Sequence, residues 1–331
     1  MNGDNEILII RPRRLRVTQA IRNLTSETRL SPSMLIYPVF VREGKNIVED
    51  IPAMPGQKRY SPDKLPEILE RAVKNKIGGV LLFGIPEKKD EKATSAWKDD
   101  GVIQEAIKIS KREFPDLTLI GDVCLCEYTS HGHCGMIKDG KIDNDSTLEI
   151  LAKVAVSQAE AGADIVAPSD MMDGHTAKIR EALDDKNFQD TLVFSYAVKY
   201  ASAFYGPFRE AAGSAPAFGD RKTYQMNPRN VREAVKEALL DIQEGSDMII
   251  VKPGLPYLDV LKTVKEKTNV PVASYSVSGE YSMIKAASAQ GWLNEKNIAS
   301  EAAISMARAG ADIIISYYAL ELAEWILNGE L

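Results

Sequence analysis

One short junction occurs three times in this chain, as Ala161-Gly162-Ala163-Asp164, Glu244-Gly245-Ser246-Asp247 and Ala309-Gly310-Ala311-Asp312. Each copy follows a charged, helix-patterned stretch and precedes an apolar run. A glycine placed there ends a helix in a left-handed cap and lets a strand begin at once. Three copies therefore point to a repeated helix–strand unit. Apolar runs at 34–40, 79–84, 117–122, 165–168, 191–195, 248–251, 270–274 and 313–316 make eight. They lack polar alternation, as strands covered on both faces do, and helical patterns such as 145–161 and 228–244 lie between them. Eight such units predict an α/β fold, a closed (β/α)8 TIM barrel, with residues 31–331 forming one catalytic domain. Residues 1–30 carry little core signal and read as an extended N-terminal arm. The rhythm breaks at about 200–227, a long Gly/Pro-rich connection after the fifth run. Loops of that length in compact domains are commonly lids or binding loops, so this one is expected to be an active-site lid.

Composition narrows the class. With 331 residues, 44% of them hydrophobic, and a net charge of −6, the chain can bury a sizeable core and is a poor general nucleic-acid binder. Its basic cluster, Arg11 to Arg16, stands outside the repeating pattern and reads as a solvated or subunit-contacting arm. The N-terminus lacks a signal-peptide pattern, and no apolar run approaches the roughly 20 residues that span a membrane. Three cysteines, two of them only two residues apart, make no disulfide framework. Reduced thiols point to the cytoplasm.

All three cysteines, Cys124, Cys126 and Cys134, fall within eleven residues, beside His131 and His133. Residues two apart in an extended chain point the same way. Asp122, Cys124 and Cys126 are thus expected on one face, with Cys134 returned by a Gly-punctuated turn. Three thiolates can converge on a zinc ion at about 2.3 Å each, leaving a fourth position open for chemistry. The alternatives are ordinary buried thiols, or a structural site closed by one of the histidines.

In a barrel of this class the reacting groups sit at the C-terminal strand ends. Those positions hold Asp122 with Cys124, Ser169 with Asp170, Lys199, Lys252, Tyr275 with Ser278, and Tyr317 with Tyr318. An amine at the end of a buried strand is partly desolvated, which disfavours its ammonium form, and a second cation nearby depresses its pKa further. A neutral amine attacks a ketone to form a Schiff base. Two lysines at one barrel mouth point to that chemistry.

Four segments carry a family resemblance: Asp122 to Gly135, Ala167 to Gly174, Lys199 to Arg209 (Lys-Tyr-Ala-Ser-Ala-Phe-Tyr-Gly-Pro-Phe-Arg), and Val251 to Gly254. Together they resemble the porphobilinogen synthase (δ-aminolaevulinate dehydratase) family over essentially the whole chain. That family joins two δ-aminolaevulinate molecules, with loss of two waters, into porphobilinogen for tetrapyrrole (haem) biosynthesis. The resemblance implies that Lys252 holds the ketone of the propionate side and Lys199 that of the acetate side. It implies zinc on Cys124, Cys126 and Cys134. Arg209, Arg221 and Gln225 match positions that clamp the second substrate's carboxylate, as guanidinium groups suit carboxylates. Ser278 and Tyr317 match groups on the first carboxylate, Tyr275 lies against the ketimine, and Ser169 counts among the substrate contacts. Asp122 is a candidate for tuning the lysines or relaying protons. The resemblance also implies a homo-octamer assembled from dimers, and an allosteric magnesium at Glu237. A class I aldolase-like barrel is the alternative, although one lysine suffices there and the cysteines would be superfluous. A zinc-stapled binding module without catalysis leaves the strand-end polar set unexplained.

Overall fold

The computed structural model describes residues 10–331. Eight parallel strands form the barrel: β1 (Leu35–Arg42), β2 (Gly79–Ile85), β3 (Leu119–Val123), β4 (Ile165–Pro168), β5 (Leu192–Lys199), β6 (Met248–Lys252), β7 (Val272–Ser276) and β8 (Ile313–Ser316). Each pairs with the next in order, and β8 closes the ring on β1 through Ile314 opposite Leu35 and Ile315 opposite Ile36. The fold is the expected (β/α)8 barrel. Nearly every strand residue is buried, which is why the sequence shows continuous apolar runs. Two small hairpins ornament it, one at Val48–Asp50 and Lys58–Tyr60, the other at Met136–Lys138 and Lys141–Asp143.

The repeated junction does two jobs. Gly162, Gly245 and Gly310 take φ of 105°, 105° and 115° as the helices end, a conformation that costs glycine nothing. The aspartate two residues on then latches the new strand to its predecessor. Its backbone N–H donates to the carbonyl of Leu119, Val193 or Val272, and its carboxylate accepts the N–H of the same residue, at 2.7, 2.8 and 2.8 Å respectively. These latches join β3 to β4, β5 to β6 and β7 to β8. Between β1 and β2 the backbone half persists, Gly78 N–H to Leu35 O, with Lys76 in the left-handed conformation. A Cβ on Gly78 would stand 2.2 Å from the Ser33 carbonyl oxygen, so no aspartate fits there.

Among residues 10–30 of the expected arm are a single turn at Pro12–Arg16 and a helix at Gln19–Leu24, neither with a buried residue. Residues 1–9 of that arm lie outside the described residues. The connection at 200–227 leaves and rejoins the barrel at one point: Met226 N–H bonds Lys199 O, and Ala201 N–H bonds Met226 O. Between these ends runs a short helix, Gly206–Ala211. Arg59 holds the carbonyls of Glu210 and Ala211, and Lys89 that of Gly213. No helix among the described residues is long and apolar enough to cross a membrane.

Candidate active site

The pairing of β5 with β6 contains an irregularity that sets the site. Ser195 lies opposite Ile249, yet Val198 lies opposite Val251 and Lys199 opposite Lys252. Three steps along β5 thus match two along β6, as at a β-bulge. In a regular strand, residues four apart share a face. Here Ser195 faces the surrounding helices, bonding His175 and Asp241, whereas Lys199 turns to the barrel mouth. The bulge reverses its direction and makes the two lysines direct neighbours.

Both lysines are buried, at 5% and 6% exposure. Lys252 Nζ sits among aromatic rings, 4.2 Å from the centroid of Tyr275, 5.0 Å from Tyr196, 5.2 Å from Phe208 and 5.4 Å from Tyr205. Burial, and then the Lys199 ammonium, push its pKa down to about 7. Lys199 donates to the Ser169 carbonyl. Burial would lower its pKa too, but the negative charge of Cys134, Cys124 and Cys126 outweighs that and holds it above the usual lysine value. One amine is thus poised to be neutral near pH 7 while its neighbour stays charged.

The cysteines converge, by a route other than the one expected. Strand β3 stops at Val123, and Leu125 O accepts the N–H groups of Tyr128 and Thr129. A turn, not strand alternation, therefore brings Cys126 back to Cys124, with their sulfurs 3.3 Å apart. The three sulfurs lie within 4.8 Å of one another and are fully buried, a group able to hold a metal ion. Their chemistry fits one. Cys134 ionises readily because Cys124 and Cys126 donate to it, whereas burial drives Cys124 the other way. Ionising all three in so buried a site needs a central cation. Neither histidine closes the set: His133 bonds Tyr224 Oη and the Phe218 carbonyl, and His131 Nδ1 accepts the His133 N–H. Glu127 stands there instead, 3.2 Å from the Cys126 sulfur.

The remaining expected residues gather around this centre. Asp122 is buried, with Oδ1 unpartnered; burial and then Glu127 raise its pKa well above the carboxylate range, favouring the neutral acid. Arg221 is buried and donates to the carbonyls of Gly132 and Ser214. Its Nε, the Arg209 Nε, both ends of the Gln225 amide and Tyr196 Oη have no partner. Such buried orphans are rare in finished structures and mark places where another molecule completes the bonding. Tyr275 and Tyr317 touch through their hydroxyls at 3.3 Å. Ser278 Oγ accepts the Phe208 N–H at 2.9 Å, tying the 200–227 segment to this end of the barrel. Ser169, Lys199, Lys252, Cys126, Arg209 and Arg221 share the walls of a cavity of only about 20 Å³, room for about one water.

Glu237 lies apart from this centre, on the helix Arg232–Gln243, beside a separate cavity. Burial, then Asp241 and Asp173, raise its pKa.

Glu127, Tyr196, Tyr205 and Phe208 were not singled out by the sequence reading. Tyr205 and Phe208 stood inside a motif segment, and Glu127 adjoined Cys126. Only Tyr196 was without a signal, because strand parity from Lys199 points it away.

Paired buried amines at the C-terminal mouth of a (β/α)8 barrel, beside a thiol cluster, define a barrel lyase equipped for imine chemistry. The profile of the family described as Delta-aminolevulinic acid dehydratase matches residues 9–325, and the chain belongs to that family. The Delta-aminolevulinic acid dehydratase of Halalkalibacterium halodurans is 55% identical over 316 residues, 96% of either chain. That of Methanothermobacter thermautotrophicus is 55% identical over 324 residues, covering 97% of this chain and 99% of the relative. Among solved structures, the delta-aminolevulinic acid dehydratase (porphobilinogen synthase) of Toxoplasma gondii with its product porphobilinogen superposes with a TM-score of 0.94. It is 46% identical and covers 96% of this chain and 92% of its own.

Proposed function

We propose that this member of the family condenses two δ-aminolaevulinate molecules by imine catalysis at Lys252 and Lys199. The observation that carries the reading is the Lys252 amine, buried among four rings with its pKa drawn to about 7. A neutral amine adds to the first substrate's ketone; the carbinolamine takes a proton on its oxygen and loses water, leaving the protonated imine. The neighbouring Lys199, charged and held on the Ser169 carbonyl, supplies a proton and, once it has given that proton up, takes the second ketone. Neutral, buried Asp122 relays protons between the two amines.

Cys124, Cys126 and Cys134 would hold zinc, which supplies Lewis acidity toward the second substrate's amine or carbonyl oxygen when bound. The unpartnered nitrogens of Arg209, Arg221 and Gln225 fit that substrate's carboxylate. Ser278 and Tyr317 fit the first carboxylate, with Tyr275 against the imine and Ser169 lining the pocket. Two substrates do not fit in about 20 Å³, so residues 200–227 act as a lid that opens for entry and closes to exclude water. The exposed apolar side chains of Ile10, Leu15, Val17 and Leu24 suit an arm, residues 1–30, that docks on a neighbouring subunit of the 31–331 barrel, in a cytoplasmic homo-octamer. Glu237, half-buried near Asp241 and Asp173, would take an allosteric magnesium.

Borohydride reduction in the presence of δ-aminolaevulinate, followed by peptide mass mapping, tests the core of this. The expected result is a substrate-derived mass on Lys252; no adduct on either lysine would sink the imine mechanism.

A further inference from the structure

A second polar cluster, away from the cysteines, sits between the barrel and its helices. His175 opens the helix His175–Asp185 and is 2% exposed. Its Nδ1 lies 2.9 and 3.0 Å from the two carboxylate oxygens of Asp170. Its Nε2 lies 3.1 Å from Ser195 Oγ and 3.3 Å from Asp241 Oδ2, and the Ser195 hydroxyl donates to the same Asp241 oxygen. Asp170 and Ser195 are wholly buried and Asp241 nearly so. Two carboxylates this deep are costly unless a cation stands between them. Burial alone would drive the imidazole neutral, but Asp170 and Asp241 outweigh it and hold the proton on.

Both ends of the cluster lead to one amine. Asp170 follows Ser169, whose carbonyl accepts the Lys199 ammonium, and its carboxylate also takes the Met172 N–H at 2.7 Å, fixing that corner. Ser195 lies on β5 just before the bulge that turns Lys199 inward. We propose that His175 is a positioning residue for Lys199: the Asp170–His175–Asp241–Ser195 chain clamps the β4 corner and strand β5 at the spacing that points the Lys199 amine at the substrate. The assignment rests on the reading of Lys199 given above, but it concerns groups that touch neither substrate nor the cysteine cluster.

The test compares wild type, His175→Gln and Asp241→Asn as full-length, metal-loaded enzymes, all matched for folded content and bound metal. Displacing a reacting group by about an ångström costs on the order of 100-fold in rate. The expected result is a 10- to 100-fold fall in kcat with KM within about threefold. Borohydride labelling by δ-aminolaevulinate should fall at Lys199 and stay at the wild-type rate at Lys252. Equal loss of label at both lysines would mean general loosening and overturn the proposal, as would unchanged kcat in the folded variants. Should His175→Gln not fold, Asp241→Asn, which keeps size and can still accept from Ser195, decides alone. If wild type takes no label at Lys199, the role of Lys199 fails; kcat of the variants then still decides whether the clamp serves turnover.

Discussion

Lys199 and Lys252 are register partners on adjacent strands, although Lys199 reaches that position only through an irregularity in β5. Both amines stand over the Tyr196 ring, at 5.5 and 5.0 Å. Like charges so placed compete for protons, and because the thiol cluster holds the Lys199 proton on, Lys252 gives its proton up first.

The consequence is a pH profile. With a pKa of about 7, Lys252 is mostly neutral above pH 7, and below it the reactive fraction falls about tenfold per pH unit. Trapping of substrate on Lys252 should therefore rise with pH to a plateau beginning near pH 8. An ordinary lysine would instead climb steadily beyond pH 9. Measuring the initial trapping rate from pH 5 to 9 separates the two.

Reciprocity gives a second expectation. Because the Lys199 charge lowers the Lys252 pKa, Lys199→Ala should move the midpoint of that trapping profile to higher pH. Turnover should meanwhile fall by at least about 100-fold, in the range typical for loss of a positioned acid–base group. A midpoint that stays put would show that burial acts alone.

The thiol cluster predicts proton-linked metal binding. Holding a metal requires thiols to ionise, so zinc affinity should weaken as pH falls from 8 to 6 and strengthen as it rises. Cys126→Ala should lose most bound zinc by elemental analysis. Pyrrole formation should fall with it, while labelling at Lys252 persists.

Arg209 carries an unpartnered nitrogen toward the pocket. A charge-assisted hydrogen bond contributes about 1.5–3 kcal/mol, so Arg209→Ala should raise KM roughly 10- to 100-fold. Fluctuating access through a loosened lid would change kcat as well, and the split between the two constants in steady-state kinetics distinguishes lost carboxylate binding from lost closure.

At the other end of the barrel, Asp312→Ala removes the acceptor for the Val272 N–H and the partner of Lys265. A backbone donor left short of a partner costs about 1–3 kcal/mol. Chemical denaturation should show that loss, with Asp312→Asn losing less, and both variants should keep full activity at 20 °C.

Much of this was legible in the sequence because the barrel repeats itself. Eight continuous apolar runs and three Gly-x-Asp junctions are consequences of strands buried on both sides and helices ending in left-handed caps, and both are local. Strand ends then named Asp122, Ser169, Lys199 and Lys252 without any coordinates. The failures share one cause, the breakdown of strand parity. It placed Cys126 on a strand face where a turn carries it, and it hid Tyr196, whose direction relative to Lys199 depends on pairing between β5 and β6. A bulge is a property of two strands together, and neither strand's residues announce it. The aspartate latches were likewise missed as bonds, since a repeated aspartate does not say which neighbouring amide it meets.

Those latches have a consequence for how the barrel can be taken apart. They join strands three with four, five with six and seven with eight, and the Gly78 junction joins one with two by backbone alone. The ring is therefore indexed in quarters, each a two-strand module whose internal alignment is keyed on the rim opposite the chemistry. A circular permutant opened within residues 200–227, on the far rim in the connection from β5 to β6 inside the third module, would cut the chain away from that module's key and keep every key intact. One opened between residues 162 and 164 would split a module at its key, and would have to find its register unaided.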